Sequence, residues 1–180
     1  MKAITVYRSF VLILIVASLA ASVCGKPGAR LLYLNVTMVT GEHSRDSSST
    51  STSLTVSGDT LVYEQNHYGA RANRLPPVKR EYKLTATELA ALARTLEEKN
   101  LLVTRTLLSV PQEGRLNQYF ELKIRAKLKG EHLITISGPR SSEKLKEDRI
   151  YQNSIYLIEQ LYKIINRTDP DLAMPELTKE

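Results

Sequence analysis

Tryptophan is absent from this chain of 180 residues, phenylalanine occurs twice, histidine three times, and the single cysteine is Cys24. One cysteine excludes a disulfide within the chain, so packing alone must hold the fold. His43, His67 and His132 stand at none of the two- or four-residue spacings of a metal motif. No phosphate-cradling glycine loop, nucleophile elbow or cysteine nucleophile accompanies them. Glu42, His43 and Asp46 can be assembled on paper into a metal site or an acid–base pair, but they sit among serines. That stretch reads as a solvated loop, which holds neither geometry well. The expectation is a chain with no metal, no cofactor and no catalytic set. After the first 25 residues, no apolar run approaches the roughly 20 residues that cross a bilayer as a helix.

What the chain does have begins at its start. Lys2 and Arg8 precede an apolar run over residues 10–23, and small residues follow at Ala20, Ala21, Ser22 and Gly25. This is the layout of a secretory signal peptide, too short for a permanent span. Residues 1–25 therefore read as a leader, residues 26–168 as a single domain, and residues 169–180 as a loose tail. The expected destination is secreted or periplasmic. Cleavage after Gly25 discards Cys24, whereas cleavage before it leaves a thiol that could take lipid, because Ala21-Ser22-Val23-Cys24 loosely resembles a lipobox. The leader holds two of the 25 basic residues and none of the 19 acidic ones, leaving the remainder at +4. So mild a charge does not by itself indicate nucleic acid. Asn35-Val36-Thr37 and Asn166-Arg167-Thr168 both fit the N-glycosylation pattern, or are simply a strand position and a helix end.

Periodicity predicts the elements. Leu32, Leu34, Val36 and Met38 alternate with polar residues as in a half-buried strand. Residues 41–53, dominated by Ser and Thr, read as a mobile loop. Two strands follow over 54–57 and 61–68, joined through Ser57-Gly58-Asp59 as a hairpin turn. An irregular stretch with Pro76-Pro77 leads to a short extended piece around Tyr82. Thr85 and Glu88 form a capping box and Leu84 and Leu89 a hydrophobic staple, so a helix should start at Ala86, bury Leu89, Leu92, Ala93 and Leu96, and end at Asn100. Residues 103–110 have β character. Phe120, Leu122, Ile124, Ala126 and Leu128 then alternate with Glu121, Lys123, Arg125, Lys127 and Lys129, the clearest strand of the chain, and Gly130 turns it into a partner over 133–137. Tyr151, Ile155, Ile158, Leu161, Tyr162 and Ile165 mark a long amphipathic helix ending near Asn166. The resulting fold class is α+β, an antiparallel sheet of five or six strands with two helices packed on one face.

Lys123, Arg125, Lys127 and Lys129 line one face of a strand, and Arg71 and Arg74 lead a second cationic cluster with Lys79, Arg80 and Lys83. If the two adjoin, they form a binding surface for an anionic surface polymer; otherwise they keep a strand soluble and unpaired at its edge. Nucleic acid is not expected, because export removes the protein from it and only Tyr119 supplies an aromatic among these cations. The nine tyrosines, among them Tyr63, Tyr68, Tyr82, Tyr119 and Tyr156, suit either a recognition surface or half-buried strands and helix shoulders.

The run Tyr82-Lys-Leu-Thr-Ala-Thr-Glu-Leu-Ala-Ala-Leu, continuing to Leu102, is followed by strands over 119–128 and 133–138 and a helix over 156–165. This order resembles that of many uncharacterised exported bacterial domains. It is also distantly similar to emfourin-type proteinaceous inhibitors of metalloproteases, over roughly residues 82–166. The resemblance implies a non-enzymatic domain that binds another exported protein. This chain departs from it in having a Ser/Thr-rich first loop where a glycine-rich one is expected, so no inhibitory residue carries over. The functional expectation is an exported binding module, protein-binding or inhibitor-like, with a polyanion or envelope-surface binder as the alternative.

Overall fold

The computed structural model describes residues 31–42, 48–69, 75–111, 118–139 and 141–174. The expected leader with Cys24, the residues His43 and Asp46, and the cations Arg71 and Arg74 lie outside these. Seven strands form one sheet: β1 (Tyr33–Glu42), β2 (Ser48–Ser57), β3 (Thr60–Gly69), β4 (Val78–Lys83), β5 (Thr106–Ser109), β6 (Gln118–Lys127) and β7 (Glu131–Pro139). Their spatial order is β4-β3-β2-β1-β6-β7-β5, antiparallel throughout except for β5, which runs parallel to β7. Among the described residues three helices complete the fold: α1 (Ala86–Glu98), α2 (Glu143–Lys146) and α3 (Arg149–Asn166). The α+β class stands, but the sheet is mixed and has seven strands, and there is a third, four-residue helix.

The largest departure from expectation is β2. Residues 41–53 do not form one long loop: β1 runs on to Glu42 and β2 begins at Ser48. Serine and threonine suit an exposed sheet face as well as a loop, and threonine is a good strand former. Tertiary pairing decides between them, since Thr37, Val39 and Gly41 stand opposite Ser53, Ser51 and Ser49. On the other face of β2, Thr52, Leu54 and Val56 are buried. The β2–β3 connection is a two-residue Gly58-Asp59 turn with positive φ at Gly58 alone, the pattern of a II′ hairpin.

Inward residues of every long strand pack against the helices in one core. Leu34, Val36 and Met38 of β1 meet Leu122, Ile124 and Ala126 of β6, with Leu61 and Tyr63 of β3 and Ile134 and Ile136 of β7 on either side. Above them α1 contributes Leu92, Ala93 and Leu96, and α3 contributes nine buried residues, including Ile158 and Leu161. Tyr63 and Tyr162 meet edge to face at 6.5 Å, and Phe120 meets Tyr151 at 5.7 Å.

The helix ends are held by the local chemistry expected of them. The Thr85 hydroxyl accepts from the Glu88 amide at 3.2 Å, and the Glu88 carboxylate accepts from the Thr85 amide at 2.8 Å. Asn100 takes a φ of 52° just past α1. One Asp148 oxygen accepts from the amides of Ile150 and Tyr151 at 2.7 and 3.0 Å, opening α3. Thr85→Ala should lower stability by about 1 kcal/mol in thermal denaturation, since it removes the hydroxyl half of the box while the backbone amide of residue 85 still donates to Glu88. An unchanged midpoint would mean that α1 is held by packing alone.

The segment after α3 is no loose tail over residues 169–174. Asp169 accepts from the Tyr82 hydroxyl at 2.6 Å and pairs with Arg80 at 2.8 Å, while Leu172 and Met174 pack on the core. Arg167 reaches back to Glu88 and to the Lys83 carbonyl, so the end of α3 is tied to β4 and α1. Burial, followed by the Asp169 hydrogen bond, pushes the Tyr82 phenol up to about 12. A raised folded-state value stabilises fully below the unfolded phenol value of about 10 and is lost as pH rises through the folded one. Asp169 is the mirror case: the Tyr82 hydroxyl, then Arg80, hold its carboxyl below the ordinary range. Its contribution is present above about pH 4 and falls away on acidification. Tyr82→Phe should flatten the alkaline limb of the stability profile between about pH 10 and 12. Urea melts across that range check this, and an unaltered limb would place the alkaline sensitivity elsewhere.

Candidate functional site

Among the described residues helices cover only one face of the sheet, and the opposite face is left uncovered. With strands about 4.8 Å apart, it spans about 29 Å from β4 to β5. Strand register sets its rows. One row runs Lys79, Glu64, Ser53, Thr37, Lys123, Thr135 and Leu107; the next runs Glu81, Val62, Thr55, Asn35, Arg125 and Leu133. The middle is a small polar network. The Asn35 amide donates to Ser53 at 3.0 Å and to Thr55 at 2.8 Å, and Thr37 donates to the Asn35 oxygen at 3.1 Å. Asn35, one of the two glycosylation patterns, is thus engaged in mid-sheet, whereas Asn166 lies exposed at the end of α3.

The expected cationic residues do not form one patch. Lys123, Arg125 and Lys127 project from β6 on the uncovered face. Lys129 lies past the strand with a φ of 57° and pairs with Glu97 of α1 at 2.8 Å. The second cluster sits four strands away, about 19 Å, and each of its described cations is paired: Lys79 with Glu64, Arg80 with Asp169 and Lys83 with Asp59. On β6 itself Lys123 pairs with Glu121, and Lys127 pairs with Glu131 at 2.7 Å. The Lys127 ammonium holds the Glu131 carboxyl below its usual range. Of the three β6 cations, Arg125 has no ion pair among the described residues. The triple reversal of Lys123, Arg125 and Lys127 to Glu should leave a cooperative melt, because all three side chains are exposed. Loss of the transition would mean that the face is covered.

At one end of this face the sheet bears a recess of about 740 Å³. Tyr33 of β1 and Thr104, just before β5, contribute to it. Arg125, Ala126 and Lys127 of β6 and Glu131, His132 and Leu133 of β7 complete the lining. The His132 Nε2 lies 3.1 Å from the Leu128 carbonyl, which can only accept, so Nε2 bears the proton. Its Nδ1 is buried without a partner. Sequence reasoning found Arg125 and Lys127 and missed Tyr33, Thr104, Glu131 and Leu133. No local signal marks these four, because the recess exists only once β1 pairs with β6 and β5 docks beside β7.

The tyrosines are likewise dispersed. Tyr63 and Tyr82 are core residues, and Tyr156 lies 4.3 Å beneath the Lys99 ammonium on α3. Tyr68 is exposed, and the Tyr119 ring lies over Gly41, where a Cβ would come within 2.6 Å of it. A ring covering a strand glycine in this way shields backbone that the glycine leaves open. Among the described residues no group of three His, Cys, Asp or Glu gathers as a metal site, and no helix is long and apolar enough to cross a membrane. No family model matches this sequence, and no curated protein matches it either.

Proposed function

We propose that this chain is an exported, non-enzymatic binding module that engages a protein partner through the uncovered face of its sheet. The observation that carries this reading is the face itself: a seven-stranded platform with helices, among the described residues, on one side only, ending in an open recess. A rigid scaffold that holds a concave site in fixed geometry is the usual setting of a binding site. The leader-like first 25 residues support export. The order of capped helix, hairpin and final helix distantly resembles that of emfourin-type inhibitors, a likeness that favours an inhibitor-like role toward an exported enzyme.

The polyanion alternative draws less support from the arrangement of charge. Its cations fall into two groups four strands apart, and all the described ones except Arg125 are paired with carboxylates. The test is a photo-crosslinking residue placed at Thr37 on the uncovered face or at Gln152 on the exposed side of α3, in the full-length protein in its native host. A stoichiometric adduct from Thr37 and not from Gln152 is expected. Equal yields from both positions, or none from Thr37, would overturn the reading.

A further inference from the structure

Resting on that reading of the uncovered face, we propose that the recess at its end binds a carboxylate borne on an apolar or aromatic body. Charge defines the class. Arg125 and Lys127 bring two positive charges and Glu131 one negative, leaving a single positive charge in the recess. That balance suits a monoanion better than a phosphate dianion or a polyanion. Lys127 is already satisfied by Glu131 at 2.7 Å. Among the described residues Arg125 has no ion pair, and the Asn35 oxygen opposite it already accepts from the Thr37 hydroxyl. A planar guanidinium free on both donor edges matches a carboxylate through two parallel hydrogen bonds.

The remaining lining describes the rest of the ligand. Leu133 offers apolar surface beside the guanidinium, and Tyr33 presents a ring and a hydroxyl on the β1 side. About 740 Å³ falls within the usual size of a small-molecule site, far more than a bare carboxylate fills. The same chemistry is presented by a free amphipathic acid and by the C-terminal carboxylate of a peptide ending in an apolar residue.

The experiment is calorimetric titration of the protein, purified as its host processes it, with four probes. These are 3-phenylpropionate, its amide, and a tetrapeptide ending in Leu with its terminus either free or amidated. Saturable binding of an acid, weakened about tenfold or more in the matching amide, is expected, since a charge-assisted pair is removed. Phenylpropionate alone binding would identify a small acid as the source, and the free peptide binding more tightly would identify a chain terminus. Arg125→Met should abolish the preference for acid over amide, Arg125→Lys should retain part of it, and Glu131→Gln should strengthen it by raising the local positive charge. Equal binding of acid and amide, no saturable binding of either acid, or an unchanged preference in Arg125→Met would overturn the inference. Adducts from Thr37 alongside any of these results would leave the proposed function standing.

Discussion

Leu92→Asp should remove the folded state of this protein at ordinary temperature. Leu92 is 1% exposed on the inner side of α1, between Leu89 and Leu96, and faces a core whose buried polar residues are Thr52 and Ser154. No cation is present there to compensate a carboxylate. Truncating such a leucine alone costs about 2–5 kcal/mol, and an unpaired charge adds its own desolvation penalty. The sum approaches the whole stability of a domain of this size, about 5–15 kcal/mol. Leu92→Met, which keeps volume and polarity, should lose less than about 1.5 kcal/mol. Circular dichroism melts of the pair provide the check: a cooperative transition for the Asp variant near that of the parent would show that α1 does not bury this face.

The second large effect is expected at Gly138, where three elements converge. A Cβ there would lie 3.0 Å from Leu145 Cδ1, 3.0 Å from the Val110 carbonyl oxygen and 3.2 Å from the Val110 Cβ. Leu145 is buried in α2, and Val110 is fixed because its amide donates to the Ser137 carbonyl at 3.0 Å. Neither neighbour can retreat without giving up a packed position or a ladder bond. Gly138→Val should therefore cost about 2–3 kcal/mol as overpacking. The damage should be concentrated at the β5 edge, with amide exchange at Leu108 and Val110 accelerating more than at Leu122 in mid-sheet. Uniform acceleration across both places would mean that β5 and the sheet centre unfold as one unit.

Legibility in the sequence followed the range of the interactions. Thr85 and Glu88 sit three residues apart and bond to each other, so the start of α1 was readable to the residue. The apolar stripe of α3 and the alternation of β6 likewise express their burial locally. The segment from Gly41 to Ser53 failed because serine and threonine side chains satisfy a wet sheet face and a loop equally well. Only β1 and β3, lying on either side of it, make β2 a strand. β5 was readable as extended, but its parallel docking beside β7 depends on a chain that arrives 25 residues later. The candidate site was half legible for the same reason: Arg125 and Lys127 belong to one alternating run, whereas Tyr33 and Thr104 join them from distant parts of the chain.

The pairing of β1 with β6 has a consequence for how copies of this chain meet. Strands β1 to β4 form a meander complete by Lys83, yet the inner edge of β1 stays open until Gln118–Lys127 arrives to make ten residue pairs. Until then β1 presents a row of unmatched backbone donors and acceptors. The matching strand of a second molecule satisfies that edge with the same register and the same buried residues as the chain's own. Refolding at high concentration is therefore the condition under which exchanged dimers are expected, and dilution during refolding should keep each seam closed by its own chain.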